Sequence, residues 1–268
     1  MGRCWFHHGT PGSACGYRIV EEPAHERGLR VVWISRPGYG DSSRQPGRRV
    51  VDIVSDTAEV LDALGVNSCV VGGGSSGGPH ALACAALLDP AMAALVVSSH
   101  ATFDAERLDY LAGMGEDNIA EYGAALKGEE TLRNYLDNLR EQLLGVAVDG
   151  FIEAFSSSLP EVDRAVLTDE FAEDAIADVQ EALRVGVDGW VDDMLAFTKP
   201  WGFDLEEVTR PTMIWHSSED LLKPLAHGRW LASHVPEASM HLFEGEGHLS
   251  TWQSTPTMLD ELLAATQA

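Results

Sequence analysis

The stretch Gly73-Gly74-Ser75-Ser76-Gly77-Gly78 decides the reading of this chain. It follows an apolar run, Cys69-Val70-Val71, and precedes an alanine-rich segment, Ala81 to Leu88. Strand, glycine-framed serine and helix form the context in which G-x-S-x-G means a nucleophile elbow. The turn is so tight that side chains two residues to either side of the serine would collide. Glycines therefore flank it, and the serine sits at the tip, pointing away from the sheet. The five-residue pattern is common by itself; its weight comes from the segments that accompany it.

Outward from the elbow, Val66 to Gly72 reads as a buried strand and Ser76 to Leu88 as a helix. Pro79 falls in the first helical turn, where its missing N–H would have had no partner anyway. Cys4 to His8 is a short strand that runs into the loop His8-Gly9-Thr10-Pro11-Gly12. Arg30 to Ile34 is β-branched and aromatic and breaks at Arg36-Pro37-Gly38-Tyr39-Gly40. Ile53, Thr57, Leu61 and Leu64 recur at helical spacing, with Gly65 as the stop. Ala94 to Ser98, Thr212 to Trp215 and Met240 to Phe243 are further strands, and a last helix opens at Thr255-Pro256. This alternation predicts an α/β fold whose parallel sheet is covered on both faces.

Between Asp104 and Asp204 the rhythm changes. No strand pattern occurs there, while Leu108, Leu111, Leu132, Leu136, Leu139, Leu143, Phe151, Phe155, Ile176, Val179, Leu183 and Val187 lie at helical intervals. The expected organisation is a core domain of residues 1–103 and 205–268 with a helical cap of residues 104–204 inserted into it. Tyr110, Tyr122, Tyr135, Trp190, Phe197 and Trp201 of the insertion either line a pocket or pack helices, and packing is the commoner use of such residues.

The chain has 268 residues, 45% hydrophobic and 22% charged, as in an ordinary globular protein. No apolar run reaches the roughly 18–20 residues that span a bilayer. Cys4, Cys15, Cys69 and Cys84 show no C-x-x-C spacing, and scattered cysteines in a chain of this length suit a reducing, cytoplasmic setting. No metal-binding spacing is present. The net charge of −24 argues against nucleic acid or an anionic membrane as partner. The charge is uneven: residues 104–208 hold 26 acids and 7 bases, net −19, against −5 for the rest. Solvated helix faces are the expected reading of that excess; the sharper one is repulsion of anionic substrates at a site entrance.

A serine hydroxyl needs a base to become a nucleophile, and a histidine base needs a carboxylate to hold its tautomer. Ser75 ends one strand, Asp220 follows the strand Thr212–Trp215, and His248 follows Met240–Phe243 in Gly245-Glu246-Gly247-His248. Each is expected beyond the C-terminal end of a parallel strand, where open α/β sheets place ligands. Glu219 and Asp104 are alternative acids. His7, His80, His100, His216, His227 and His241 are assigned to packing or surface, and His8 to shaping its loop.

With these segments goes a resemblance. His8-Gly9-Thr10-Pro11-Gly12-Ser13, Arg36-Pro37-Gly38-Tyr39-Gly40-Asp41-Ser42, the elbow running into Gly78-Pro79-His80-Ala81-Leu82, Trp215-His216 through Glu219-Asp220, and Gly245-Glu246-Gly247-His248-Leu249 resemble the α/β-hydrolase superfamily, in its usual order. The likeness is to esterases and proline-iminopeptidase-like serine hydrolases, over residues 5–100 and 208–265. It implies an α/β-hydrolase fold and acyl transfer on an ester, lactone or small amide, with no cofactor and a small-molecule acyl substrate as partner. An aminopeptidase or carbon–carbon bond hydrolase on the same triad, or a non-catalytic homologue, is the alternative. Both Ser75 and Ser76 fit G-x-S-x-G. The family's small residue three positions after the nucleophile is Gly78 for Ser75 but Pro79 for Ser76, which implies Ser75. Backbone N–H groups of Ser76 and Thr10 would then form the oxyanion hole.

Relatives usually carry two strands before the loop equivalent to His8-Gly9, and here that loop lies eight residues from Met1. The expectation is a sheet of about six strands with Arg30–Ile34 near one edge. Such an apolar edge invites pairing across a homodimer, unless the coding sequence starts upstream.

Overall fold

The computed structural model describes residues 2–145, 147, 150, 152, 153, 155 and 157–267. Six parallel strands form one sheet: β1 (Gly2–His7), β2 (Leu29–Trp33), β3 (Cys69–Gly74), β4 (Ala91–Val97), β5 (Thr212–Ser217) and β6 (Ala238–Phe243), in the order β2-β1-β3-β4-β5-β6. Parallel neighbours need crossovers, and helices supply them: α1 (Arg18–Glu26), α2 (Ile53–Ala63), α3 (Gly78–Leu87) and, after β5, α9 (Leu225–His234). The last helix, α10 (Thr255–Ala265), follows β6. The strand order reverses at β1 and β3, so the carboxyl ends of those strands form a crevice.

Period-two alternation assigns each strand residue to one of two cores. Cys4, Phe6, Val70, Leu95, Val97, Met213 and Trp215 pack with Val20 and Ala24 of α1 and with Met258, Leu259 and Leu262 of α10. Their neighbours Trp5, Val71, Ala94, Val96 and Ile214 face the other way, onto Ile53, Leu61, Leu82 and Leu231. The expected edge strand is β2. Helix α1 was not anticipated from the sequence: Pro23 lies inside it, and only Val20 and Ala24 of its nine residues are buried.

Between β4 and β5 the described residues hold no strand, and their helices include α4 (Glu116–Lys127), α5 (Glu129–Leu143), α6 (Glu161–Val166), α7 (Asp169–Ala182) and α8 (Asp188–Phe197). Leu132, Leu136 and Leu143 form the buried stripe of α5, as their spacing predicts. Leu108 and Leu111 lie outside any helix instead, and Phe151 falls outside the described residues.

The acidity of this segment is not confined to solvated faces. Asp163, Asp178, Asp192 and Asp193 are buried. Asp193 Oδ2 accepts hydrogen bonds from Arg36 Nη2 (2.7 Å), Thr10 Oγ1 (2.7 Å) and Tyr39 Oη (2.9 Å), and Oδ1 from Arg48 Nη1 (2.6 Å). Burial alone would raise this carboxyl, but Arg36, Arg48 and His80 outweigh it and hold it well below the usual carboxylate range. Asp178 joins the segment to the loop after β1, accepting from Ser13 N (2.7 Å), Ser13 Oγ (2.7 Å) and Tyr17 Oη (3.1 Å). These acids attach the helices to the sheet because each meets a donor the sheet's loops leave unpaired.

Removing one partner of a buried ion pair strands the other charge without water, at a cost of about 3–5 kcal/mol. Asp193→Ala strands two guanidinium groups. Urea unfolding should therefore show a loss in that range or above; a loss under about 1 kcal/mol would mean the node holds little of the fold together.

Candidate active site

The elbow is built as its glycines require. Ser75 follows β3 directly and has φ +52°, the left-handed region that a non-glycine residue occupies only under constraint. A Cβ on Gly73 would run into the backbone of Gly77, and one on Gly77 into the carbonyl of His7. Ser76 and Gly77 make a short 3-10 turn with Ser75, and α3 begins at Gly78. Ser75 is the serine at the strained position; Ser76 is not among the positive-φ residues.

Asp220 lies in the loop after β5 and His248 in the loop after β6. His248 Nδ1 and Asp220 Oδ2 are 2.8 Å apart, with both residues buried. The other oxygen of Asp220 accepts from the backbone N–H groups of Leu222 (2.9 Å) and Lys223 (2.7 Å). Burial pushes the Asp220 carboxyl up, but the His248 charge and hydrogen bond, His216 and the Lys223 N–H prevail and lower it. An ionised Asp220 fixes the Nδ1–H tautomer of His248, which leaves Nε2 as the free base. Ser75, Ser76, Thr10 and His248 line one cavity. The structure thus brings together the five residues singled out in the sequence. Of the alternative acids, Glu219 is exposed and receives Ser218 Oγ (3.0 Å), and Asp104 is exposed as well.

Two loops of the cavity wall are held by residues to which the sequence reading gave no role. Arg36 Nη1 donates to His8 O (2.5 Å) and Nη2 to Gly9 O (2.8 Å), while its backbone N–H donates to His8 Nε2 (3.1 Å). His8 therefore carries its proton on Nδ1, which donates to Gly9 O (2.7 Å). Burial, with Arg36 next, pushes the His8 imidazole well below its ordinary range, so it stays neutral and shapes the loop. On the other side, Asp163 of α6 caps the histidine loop. Its carboxylate accepts from the backbone N–H groups of His248 (2.8 Å), Leu249 (2.8 Å) and Ser250 (2.9 Å). Burial raises the Asp163 carboxyl against the pull of those bonds and of His248. Asp163 lies about 85 residues before its partners, which is why local spacing gave no signal.

The rest of the cavity is mostly apolar, with Tyr17, Trp33, Phe155, Phe171, Trp190 and Trp252 on its walls. Of the aromatic residues picked out in the insertion, Trp190 lines it; Tyr110, Tyr122, Phe197 and Trp201 are buried in the larger core. His7, His80, His100, His216 and His227 are buried, and burial is the leading cause that lowers each of them. His241 is half-buried and 3.1 Å from Glu261. All four cysteines are free. Among the described residues no group of side chains forms a metal site, and no helix is long and apolar enough to cross a membrane.

Comparison with known proteins agrees with this architecture. A 2-hydroxy-6-oxononadienedioate/2-hydroxy-6-oxononatrienedioate hydrolase of Cupriavidus pinatubonensis is 26% identical over 262 residues, covering 92% of this chain and 80% of the relative. Among solved structures, a thermophilic esterase from Thermogutta terrifontis superposes with a TM-score of 0.65 at 19% identity, over 100% of this chain and 91% of its own. A bromoperoxidase from Bacillus anthracis gives 0.67 at 20% identity, over 99% and 91%. The family model for the alpha/beta hydrolase fold matches residues 5–255. The chain belongs to the α/β hydrolase fold family.

Proposed function

We infer that this hydrolase works through a serine acyl-enzyme. The observation that carries the reading is the 2.8 Å His248–Asp220 contact at the wall of a cavity that also holds Ser75 at the strained tip of the elbow. Ser75 Oγ attacks the substrate carbonyl while His248 Nε2 takes its proton. Asp220 orients the imidazole and stabilises its charged form. The backbone N–H groups of Ser76 and Thr10 receive the oxyanion. The protonated His248 then returns its proton to the leaving group, and water repeats the sequence in reverse to release the acyl group. The substrate class is an ester, lactone or small amide. Residues 104–204 act as a cap over this site, with 1–103 and 205–268 as the core.

A second reading has its own support. The C. pinatubonensis relative and a Burkholderia vietnamiensis relative, 25% identical over 250 residues, are both named as 2-hydroxy-6-oxo-dienedioate-type hydrolases. On that reading the same residues cleave a carbon–carbon bond next to a ketone. A panel of p-nitrophenyl esters beside a vinylogous 1,5-diketone separates the two.

A fluorophosphonate should label Ser75, located by peptide mass spectrometry, and Ser75→Ala should abolish both labelling and turnover. The residual rate from binding and oxyanion stabilisation alone is roughly 10³–10⁴ over water. Labelling at Ser76, with activity kept in Ser75→Ala, would move the nucleophile by one residue. The pH dependence has a definite sign. A protonated imidazole cannot accept the serine proton, so kcat/KM should fall on acidification. A flat profile under conditions where chemistry limits the rate would remove His248 as the base.

A further inference from the structure

We propose that the ammonium group of Lys223 is the recognition point for a carboxylate carried by the substrate, so that the enzyme prefers anionic acyl compounds. The proposal rests on the acyl-transfer reading for its location, because Lys223 lies three residues after Asp220 in the same loop. Only 5% of Lys223 is exposed, and the residue lines the cavity with His248 and Ser75. Its backbone is pinned on both sides. The N–H donates to Asp220 Oδ1 (2.7 Å), and the carbonyl accepts from His216 Nε2 (2.5 Å).

Every other buried arginine or lysine among the described residues meets a carboxylate. Arg36 and Arg48 share Asp193. Lys223 has no carboxylate within 4.0 Å among the described residues. Its Nζ instead stands 5.5 Å from the Tyr122 ring centroid, a contact that offsets little of the cost of leaving water. A cation buried without a paired anion is an unfavourable arrangement unless something completes it.

The acids on the cavity wall do not complete it. Asp117 is engaged by Ser157, through both the hydroxyl and the backbone N–H (3.2 Å). Glu121 receives Trp190 Nε1 (2.5 Å). Burial pushes the Glu121 carboxyl up to about 7, against the pull of the Lys223 charge and the Trp190 hydrogen bond. It is the group that gives up its charge when a stronger anion arrives. Asn118 Nδ2 donates to Leu222 O (2.6 Å) and so fixes α4 against the Lys223 loop. An incoming carboxylate finds a cation on the cavity lining whose backbone is held at both its N–H and its carbonyl. The overall negative charge of the chain does not oppose this, since exposed charges are screened over about 8 Å at physiological salt.

p-Nitrophenyl hydrogen glutarate and p-nitrophenyl valerate test the idea, because they have acyl chains of equal length that end in a carboxylate or a methyl group. The wild type should favour the glutarate ester. Lys223→Met should lower the glutarate-over-valerate ratio of kcat/KM by roughly 10- to 100-fold, chiefly through KM, and Lys223→Arg should restore most of it. An unchanged ratio, a wild-type preference for valerate, or a preference for aminoacyl esters would overturn the proposal. Calorimetric titration of glutarate itself, with uncharged glutaramide as control, gives a readout free of turnover. If neither ester is cleaved but glutarate binds and Lys223→Met abolishes its binding, the Lys223 site stands and the acyl-transfer reading falls. If both esters are cleaved and Lys223→Met alters neither ratio nor binding, the reading stands and the Lys223 site falls.

Discussion

A carboxylate closed off from water between two guanidinium groups is the constraint on which this site depends. Asp193 belongs to a helix far along the chain, yet Arg36, Arg48, Tyr39 and Thr10 all converge on it. Among the described residues, none of those groups meets a carboxylate within its own part of the chain. Arg36 in turn grips the carbonyls of His8 and Gly9. The loop beside Ser75 is therefore positioned by a helix that contributes nothing to the sheet. Buried charge of this kind adds little net stability against an apolar alternative, but it specifies one arrangement, because any other leaves charges unpaired.

The opposite wall repeats the device with a different donor set. Asp163 receives three successive backbone N–H groups and so fixes the loop that carries His248. Asp178 holds the turn after the first loop through Ser13 and Tyr17. The helical segment thus grips both sides of the cavity, while the strained Ser75 is held from beneath by β3 and α3. A residue at φ +52° costs on the order of 1–3 kcal/mol and persists only where its surroundings leave no other choice. Gly73 and Gly77 show the means: the backbone approaches there are too close for any side chain.

Much of this was legible beforehand, for a physical reason. Elbow, strands and histidine loop are local patterns, and a glycine-framed serine between strand and helix has few alternative structures. The helical character of the segment after β4 followed from periodicity, whereas the six-stranded sheet and the place of Arg30–Ile34 near its edge followed from the resemblance. Helix α1 did not, because Pro23 and a two-residue buried stripe hide its period. Neither did the roles of Asp163, Asp178 and Asp193. Their partners lie roughly 85 to 180 residues away, and at sequence level a buried acid looks like one of the many surface acids around it. Lys223 was passed over likewise: a lysine in a loop reads as solvated until the fold encloses it.

The central claim is that carboxylates from the helical segment hold the reacting loops in place. Hydrogen–deuterium exchange at the amides of His248, Leu249 and Ser250 measures this most directly, comparing the wild type with Asp163→Ala. The account predicts protection at these three amides comparable to that of the central strands, and its loss in the variant while the sheet stays protected. Fast exchange at these amides in the wild type, or unchanged protection in Asp163→Ala, would contradict it.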